Sequence, residues 1–333
     1  MSDIRPIEWK TDHLRILDQT LLPSIEEYRE LRTVNDVKLA IQSLAVRGAP
    51  ALGAVGAYGV VIAFIQAERE QWTPETLGQN IRNLRDARPT AVNLAWAVDR
   101  VSRYLGDGIQ RILDEAQAIE NEDREANLAI ANNALTWLDV NYQKPSYRIL
   151  THCNTGTLAT TYWGTALGVI RALHLAGKVT EVLVDETRPL LQGSRLTAWE
   201  LEKLGIPYRI QVDSAAAGAI LGGMVDFAIV GADRIAKNGD TANKVGTLSV
   251  ALACKYAGVP FFVAAPTSTF DQSIASGNSI EIEERNKREV LNFGNIDVAP
   301  IGSNVFNPAF DVTPGSFVTH FFSETKDAVY RGE

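Results

Sequence analysis

The chain has 333 residues, 46% of them hydrophobic and 22% charged, enough to bury a sizeable core and unlike disordered, collagenous or disulfide-scaffold sequences. Lys and Arg number 32 against 40 Asp and Glu, for a net charge of −8. That balance argues against non-specific binding to nucleic acid or to an anionic membrane, because both need a large positive field.

Cys153 and Cys254 show no CxxC spacing and there are four histidines, so no structural zinc is expected and a reducing compartment, the cytoplasm, is the natural home. The first ten residues carry Asp3, Arg5, Glu8 and Lys10 without an apolar run, which does not read as a signal peptide. Residues 36–46 place apolar side chains at helical spacing. After the break Arg47-Gly48-Ala49-Pro50, a nearly all-apolar helix runs to about residue 66. Its uncharged stretch is long enough to span a membrane, but four glycines, Pro50 and many alanines make it a buried helix instead. Thr73-Pro74-Glu75 reads as an N-cap with proline in the first turn. Arg88-Pro89-Thr90 punctuates before a helix over 91–105, and 122–140 is a long amphipathic helix. No strand pattern stands out in this first part beyond the N-terminal edge.

The polar, proline-containing segment 142–147 is taken as a boundary, with a mainly helical domain over 1–141 and an α/β domain over 142–333. Beyond it, short apolar runs at 148–151, 181–184, 208–212, 227–230 and 261–265 alternate with helices at 164–176, 196–204, 215–222 and 243–256. This alternation predicts a parallel sheet with helices on both faces, whose ligands bind beyond the carboxyl ends of the strands. Polar clusters follow each run: Thr151 to Gly156, Asp185 to Gly193, Asp213-Ser214, Gly231 to Arg234, and Pro266 to Asp271.

Asp233 lies immediately after an apolar strand, where partial desolvation would raise a carboxyl pKa and suit a general acid; a cap or an ion pair with Arg234 is the other role open to it. Asn238-Gly239 reads as a turn, after which Asn243 and Lys244 open the next helix and converge on an anion; the alternative is an exposed lysine. Cys153, before a Gly-containing turn, is either a cleft thiolate or a buried core cysteine, His152 reads as structural, and Cys254 as core. Arg47, Gly48 and Ala49 put a guanidinium and two backbone N–H groups at a helix start, suited to a phosphate oxygen or to an interdomain ion pair, and Arg88 is a further candidate.

These motifs, together with Ala87 to Leu94, His152 to Gly156, Asp185 to Pro189 with Gln192-Gly193, and Ile282 to Arg285, closely resemble those of the methylthioribose-1-phosphate isomerases of methionine salvage. The resemblance covers nearly the whole chain; related proteins include ribose-1,5-bisphosphate isomerases and regulatory subunits of a translation-initiation exchange factor. It implies a helical N-terminal domain, a Rossmann-like C-terminal domain and a homodimer. It also implies that Cys153 and Asp233 are catalytic and that Arg47, Gly48, Ala49, Arg88, Gln192, Asn243 and Lys244 bind a sugar phosphate. The implied reaction needs neither metal nor nicotinamide, and the chain has no GxGxxG turn. One departure is Ser214-Ala215-Ala216, where a methionine is expected near 215; this bears on the choice between a methylthio and a phosphate tail. A bisphosphate isomerase would need further cations, such as Arg188 or Arg195. A non-catalytic sugar-phosphate-binding subunit would have no reason to keep Cys153, Asp233, Asn243 and Lys244 together.

Overall fold

The structure is a computed structural model describing residues 4–89, 91–300 and 302–325; Thr90 of the Arg88 motif lies outside them. The chain forms two compact units. One takes the described residues through Leu128 together with Thr155–Gly164, and the other takes Ala129–Asn154 and the described residues from Thr165 onward.

The first unit opens with an antiparallel meander of β1 (Ile7–Trp9), β2 (Leu14–Leu17) and β3 (Tyr28–Leu31). Helices follow: α1 (Val34–Gln42), α2 (Ala49–Glu70), α3 (Pro74–Arg85), α4 (Val92–Ser102) and α5 (Ile109–Asn141). α1 starts before residue 36 because Thr33 and Asp36 form a capping box, with Asp36 N–H donating to Thr33 Oγ1 (3.1 Å) and Thr33 N–H to Asp36 Oδ2 (2.9 Å). Thr73 caps α3 as expected, accepting from Thr76 N–H at 3.2 Å, with Pro74 in the first turn. α2 is long and apolar enough to cross a membrane by length and composition alone. It is mostly buried here, and Val55, Val60, Val61 and Ile62 pack in one core with Leu84, Leu94, Val98 and Ile112. α5 begins well before residue 122; Glu115 in its early turns accepts from Arg100 Nε at 2.6 Å and pairs with Arg111 at 2.8 Å.

In the second unit the chain runs through β4 (Tyr147–Thr151), α6 (Ala166–Leu175), β5 (Val179–Asp185), α7 (Ala198–Leu204), β6 (Tyr208–Gln211), α8 (Ala216–Leu221) and β7 (Phe227–Val230). It continues through β8 (Arg234–Ala236), β9 (Thr241–Lys244), α9 (Thr247–Ala257), β10 (Phe261–Ala264) and β11 (Phe270–Asp271). A hairpin of β12 (Asn292–Phe293) and β13 (Ile296–Asp297) precedes β14 (Phe310–Thr313) and β15 (His320–Phe322).

Among the described residues, six parallel strands form the main sheet in the order β15-β10-β7-β4-β5-β6. The chain winds outward from β4 to β6, returns to β7 on the other side of β4, and winds outward again, so the order reverses between β4 and β7. Such a switch point is where doubly wound sheets open a crevice for ligand. Successive side chains point to opposite faces, which explains why these strands read as continuous apolar runs. Ile149, Val182, Val184, Phe227 and Ile229 pack on one face with residues of α5, α6 and α7. Leu150, Leu183, Ala228 and Val230 pack on the other with residues of α8 and α9. The α/β class and the Rossmann-like winding are those expected. The four-stranded sheet β11-β8-β9-β14 was not anticipated; its strands carry too little alternation to announce themselves.

Asp226 anchors the start of β4. Its Oδ2 accepts from Arg148 N–H (2.7 Å), and its Oδ1 accepts from Arg148 Nη2 and Lys144 Nζ, both at 2.8 Å. Burial alone would raise this carboxyl, but the hydrogen bonds from Arg148 and Lys144 outweigh it and hold the group well below the usual carboxylate range. A folded pKa below the unfolded one contributes stability above the unfolded pKa, which is lost as pH falls through the folded one. Asp226→Asn should therefore cost about 1–3 kcal/mol at neutral pH. The difference from wild type, read from urea midpoints, should shrink steadily below about pH 4.

Candidate active site

The carboxyl ends of β4 and β7, on either side of the switch point, carry His152-Cys153 and Gly231-Ala232-Asp233. Cys153 is buried and adopts a left-handed φ of 66°, which costs a non-glycine residue about 1–2 kcal/mol. Two threonines hold it there: Cys153 N–H donates to Thr187 Oγ1 (2.9 Å) and its carbonyl accepts from Thr197 Oγ1 (2.7 Å). Thr187 Oγ1 in turn donates to the Asp185 carbonyl at 3.0 Å. The neighbouring Asn154 is buried too and donates to Glu200 Oε1 at 2.8 Å. Sequence reasoning missed Thr197 and Glu200; the available signal was an acid set among the buried positions Ala198, Trp199, Leu201 and Leu204 of helix 198–204. Cys254 is core, as expected, and burial pushes its thiol up to about 12.

Asp233 follows β7 as expected, but its surroundings differ. It is exposed, so the apolar setting foreseen for its carboxyl is not supplied by the strand it follows. Its N–H donates to the Ala242 carbonyl (2.9 Å), which fixes its backbone to β9. Arg234 reaches Asp271, with 3.7 Å between Nη1 and Oδ2. Gln192 is buried, and its Oε1 has no hydrogen-bond partner, an orphaned acceptor of the kind that a ligand hydroxyl would satisfy.

Asn243 and Lys244 do not open a helix. They end β9, and α9 starts at Thr247 after Gly246. The start of that helix is already occupied: Gly246 N–H donates to Asp311 Oδ2 (2.7 Å) and Leu248 N–H to Asp311 Oδ1 (3.1 Å). The expected phosphate seat on this helix N-terminus is thus taken by the protein's own carboxylate, because β9 pairs with β14 and brings Asp311 opposite Asn243. Lys244 Nζ donates to the Ala309 carbonyl at 2.8 Å, and Asn243 Nδ2 to Thr247 Oγ1 at 3.0 Å.

In the first unit, Arg47 and Gly48 form the link from α1 to α2, and Ala49 is the first residue of α2. Gly48 has a φ of 93°, and a Cβ there would lie 2.3 Å from the Ala159 carbonyl oxygen, so only glycine fits. Arg88 sits half-buried in the turn after α3.

His152, Asp185 and Asp213 bring their ligand-type atoms within 4.8 Å of one another, close enough to consider a metal. Their ligand-type atoms are already engaged in hydrogen bonds. Asp213 accepts from Thr187 N–H (2.7 Å) and Arg188 N–H (2.6 Å). The His152 ring lies 2.9 Å from Asp185 Oδ2 through Nδ1 and 2.9 Å from the Val245 carbonyl through Nε2. Burial on its own would lower this imidazole, but the hydrogen bond and charge of Asp185, with the charge of Asp213, outweigh it and raise His152 above the ordinary histidine value.

A family model described as the initiation factor 2 subunit family matches residues 45–325. Methylthioribose-1-phosphate isomerase 2 of Pseudothermotoga lettingae is 48% identical over 99% of this chain and 96% of its own. The crystal structure of 5-methylthioribose 1-phosphate isomerase from Pyrococcus horikoshii OT3 superposes with a TM-score of 0.88 at 39% identity, covering 96% of this chain and 91% of that one. The structure described as translation initiation factor eIF-2B, subunit delta, from A. fulgidus superposes at 0.84 with 40% identity, covering 96% and 94%. The chain belongs to the initiation factor 2 subunit family and, within it, to the methylthioribose-1-phosphate isomerases, which are aldose–ketose isomerases.

Proposed function

We propose that the chain converts 5-methylthioribose 1-phosphate to 5-methylthioribulose 1-phosphate in methionine salvage, with Asp233 as general acid and base and Cys153 assisting. The observation that carries this reading is the placement of Cys153 and Asp233 at neighbouring strand ends that flank the switch point, in a chain 48% identical to a relative bearing that name. Gln192, Asn243 and Lys244 of the second unit are assigned to the sugar phosphate, as are Arg47, Gly48, Ala49 and Arg88 of the first. The orphaned Oε1 of Gln192 supports a hydroxyl contact. The guanidinium of Arg188 is turned to the carbonyls of Pro189 (3.0 Å), Glu289 and Val290 (both 3.4 Å), which favours the methylthio tail over a second phosphate. A homodimer and a cytoplasmic location belong to the same reading and rest on the resemblance.

Phosphate on the anomeric oxygen blocks the ordinary route through a free aldehyde, so the ring must open with the phosphate in place. Asp233 gives a proton to the ring oxygen as the C1–O bond breaks, then takes the proton of the C2 hydroxyl as the C2 carbonyl forms. Because Asp233 is exposed, the covering that favours a protonated carboxyl comes from bound substrate in this scheme. Hydrogen passes from C2 to C1 either as hydride or by proton transfer through an enediol-like species with Cys153 as base; deuterium at C1 of product formed in deuterated water identifies the second route.

Phosphorus NMR of the protein with methylthioribose 1-phosphate should show the anomeric phosphate signal converting to that of a primary ester, with Cys153→Ala silent. Binding without conversion would overturn the reading in favour of a regulatory subunit. Asp233→Asn should lower kcat by about 10²–10⁴-fold while substrate affinity stays within a few-fold, measured by steady-state kinetics and titration calorimetry. Lost affinity with retained turnover would leave Asp233 a binding group only.

A further inference from the structure

His152 precedes Cys153, and Val245, whose carbonyl faces the ring, follows Lys244; one side chain therefore joins the backbones that carry the two functional groups. Both ring nitrogens meet acceptors. The Val245 carbonyl can only accept, so Nε2 carries a proton. Asp185 already accepts at Oδ1 from Gln211 Nε2 (2.8 Å), and its Oδ2 faces Nδ1. A carboxylate in that place accepts on both oxygens and requires a second ring proton. The bridge is dry, with His152 1% and Asp185 0% exposed. Space around it is closed as well: a Cβ on Gly246 would lie 2.6 Å from His152 Cε1.

We propose that His152 is a positioning residue held as an imidazolium between Asp185 and the Val245 carbonyl, locking the Cys153 turn to the β9–α9 corner so that thiol and ammonium meet substrate at a fixed separation. This rests on the isomerase reading above. Opposite an ionised Asp185, a neutral imidazole would hold one of the two bonds and free the corner to shift, and displacement of about 1 Å can cost on the order of 100-fold in rate. The charged groups that face the ring are Asp185 at the end of β5, Asp213 after β6 and Asp311 on β14.

The test uses full-length enzyme with 15N-labelled histidine, assigned with His152→Gln. Two ring N–H signals for His152 across pH 6.5–8.5 are expected; an unprotonated ring nitrogen in that range overturns the proposal. Asp185→Asn removes the anion that retains the second proton, so its kcat should fall about 100-fold at pH 8 and recover at least about tenfold by pH 6, a limb absent from wild type. Wild-type kcat in Asp185→Asn, or an equal loss at both pH values, overturns the positioning role, since a structural lesion is not repaired by acid. If wild type turns over no sugar phosphate, the isomerase reading falls and takes the positioning role with it. If wild type is active and the ring is singly protonated, His152 alone is misassigned.

Discussion

A parallel sheet delivers every carboxyl-terminal strand end to the same edge, and this constraint organises the second unit. With the order β15-β10-β7-β4-β5-β6, the connections leaving β4 and β7 diverge to opposite faces. The residues that immediately follow those two strands flank the switch point, the place where doubly wound sheets bind ligands. His152-Cys153 and Asp233 occupy those positions because the apolar runs 147–151 and 227–230 end where they do.

Much of the polar material at this edge is scaffolding. Three aspartates each accept from two backbone N–H groups of another segment: Asp213 from Thr187 and Arg188, Asp240 from Gly277 and Gly315, and Asp311 from Gly246 and Leu248. Charge-assisted bonds of this kind are about twice as strong as neutral ones and hold irregular loops that have no ladder of their own. They also explain how Cys153 can keep a left-handed backbone: Thr187, which receives its N–H, is itself fixed through Asp213. His152 and Asp185 are both buried, and their contact gives each polar group a hydrogen-bond partner.

The strands of the main sheet were legible because burial on both faces turns each into an uninterrupted apolar run, and the caps at Thr73 and Pro74 were legible because capping is local chemistry. β9 was not legible. Thr241-Ala242-Asn243-Lys244 follows an Asn-Gly turn and carries no strand alternation, and its identity depends on pairing with β14, far along the chain. The helix start inferred at Asn243 and Lys244 was misplaced for the same reason: α9 begins at Thr247, and Asp311 accepts from Gly246 and Leu248 N–H there. Asp233 was located correctly along the chain, but its exposure depends on neighbours that no local window contains.

Sequence alone determined the α/β class, the strand ends and the residue types available there, because periodicity and turn chemistry act over a few residues. Tertiary structure decided which of those groups are already consumed by the protein and which face outward. It set the left-handed turn at Cys153, the capped start of α9, the orphaned Oε1 of Gln192 and the burial of His152 between Asp185 and the Val245 carbonyl. Each of these depends on the distance between segments remote in sequence, and hydrogen bonding and desolvation act only once folding has brought such segments within a few ångströms.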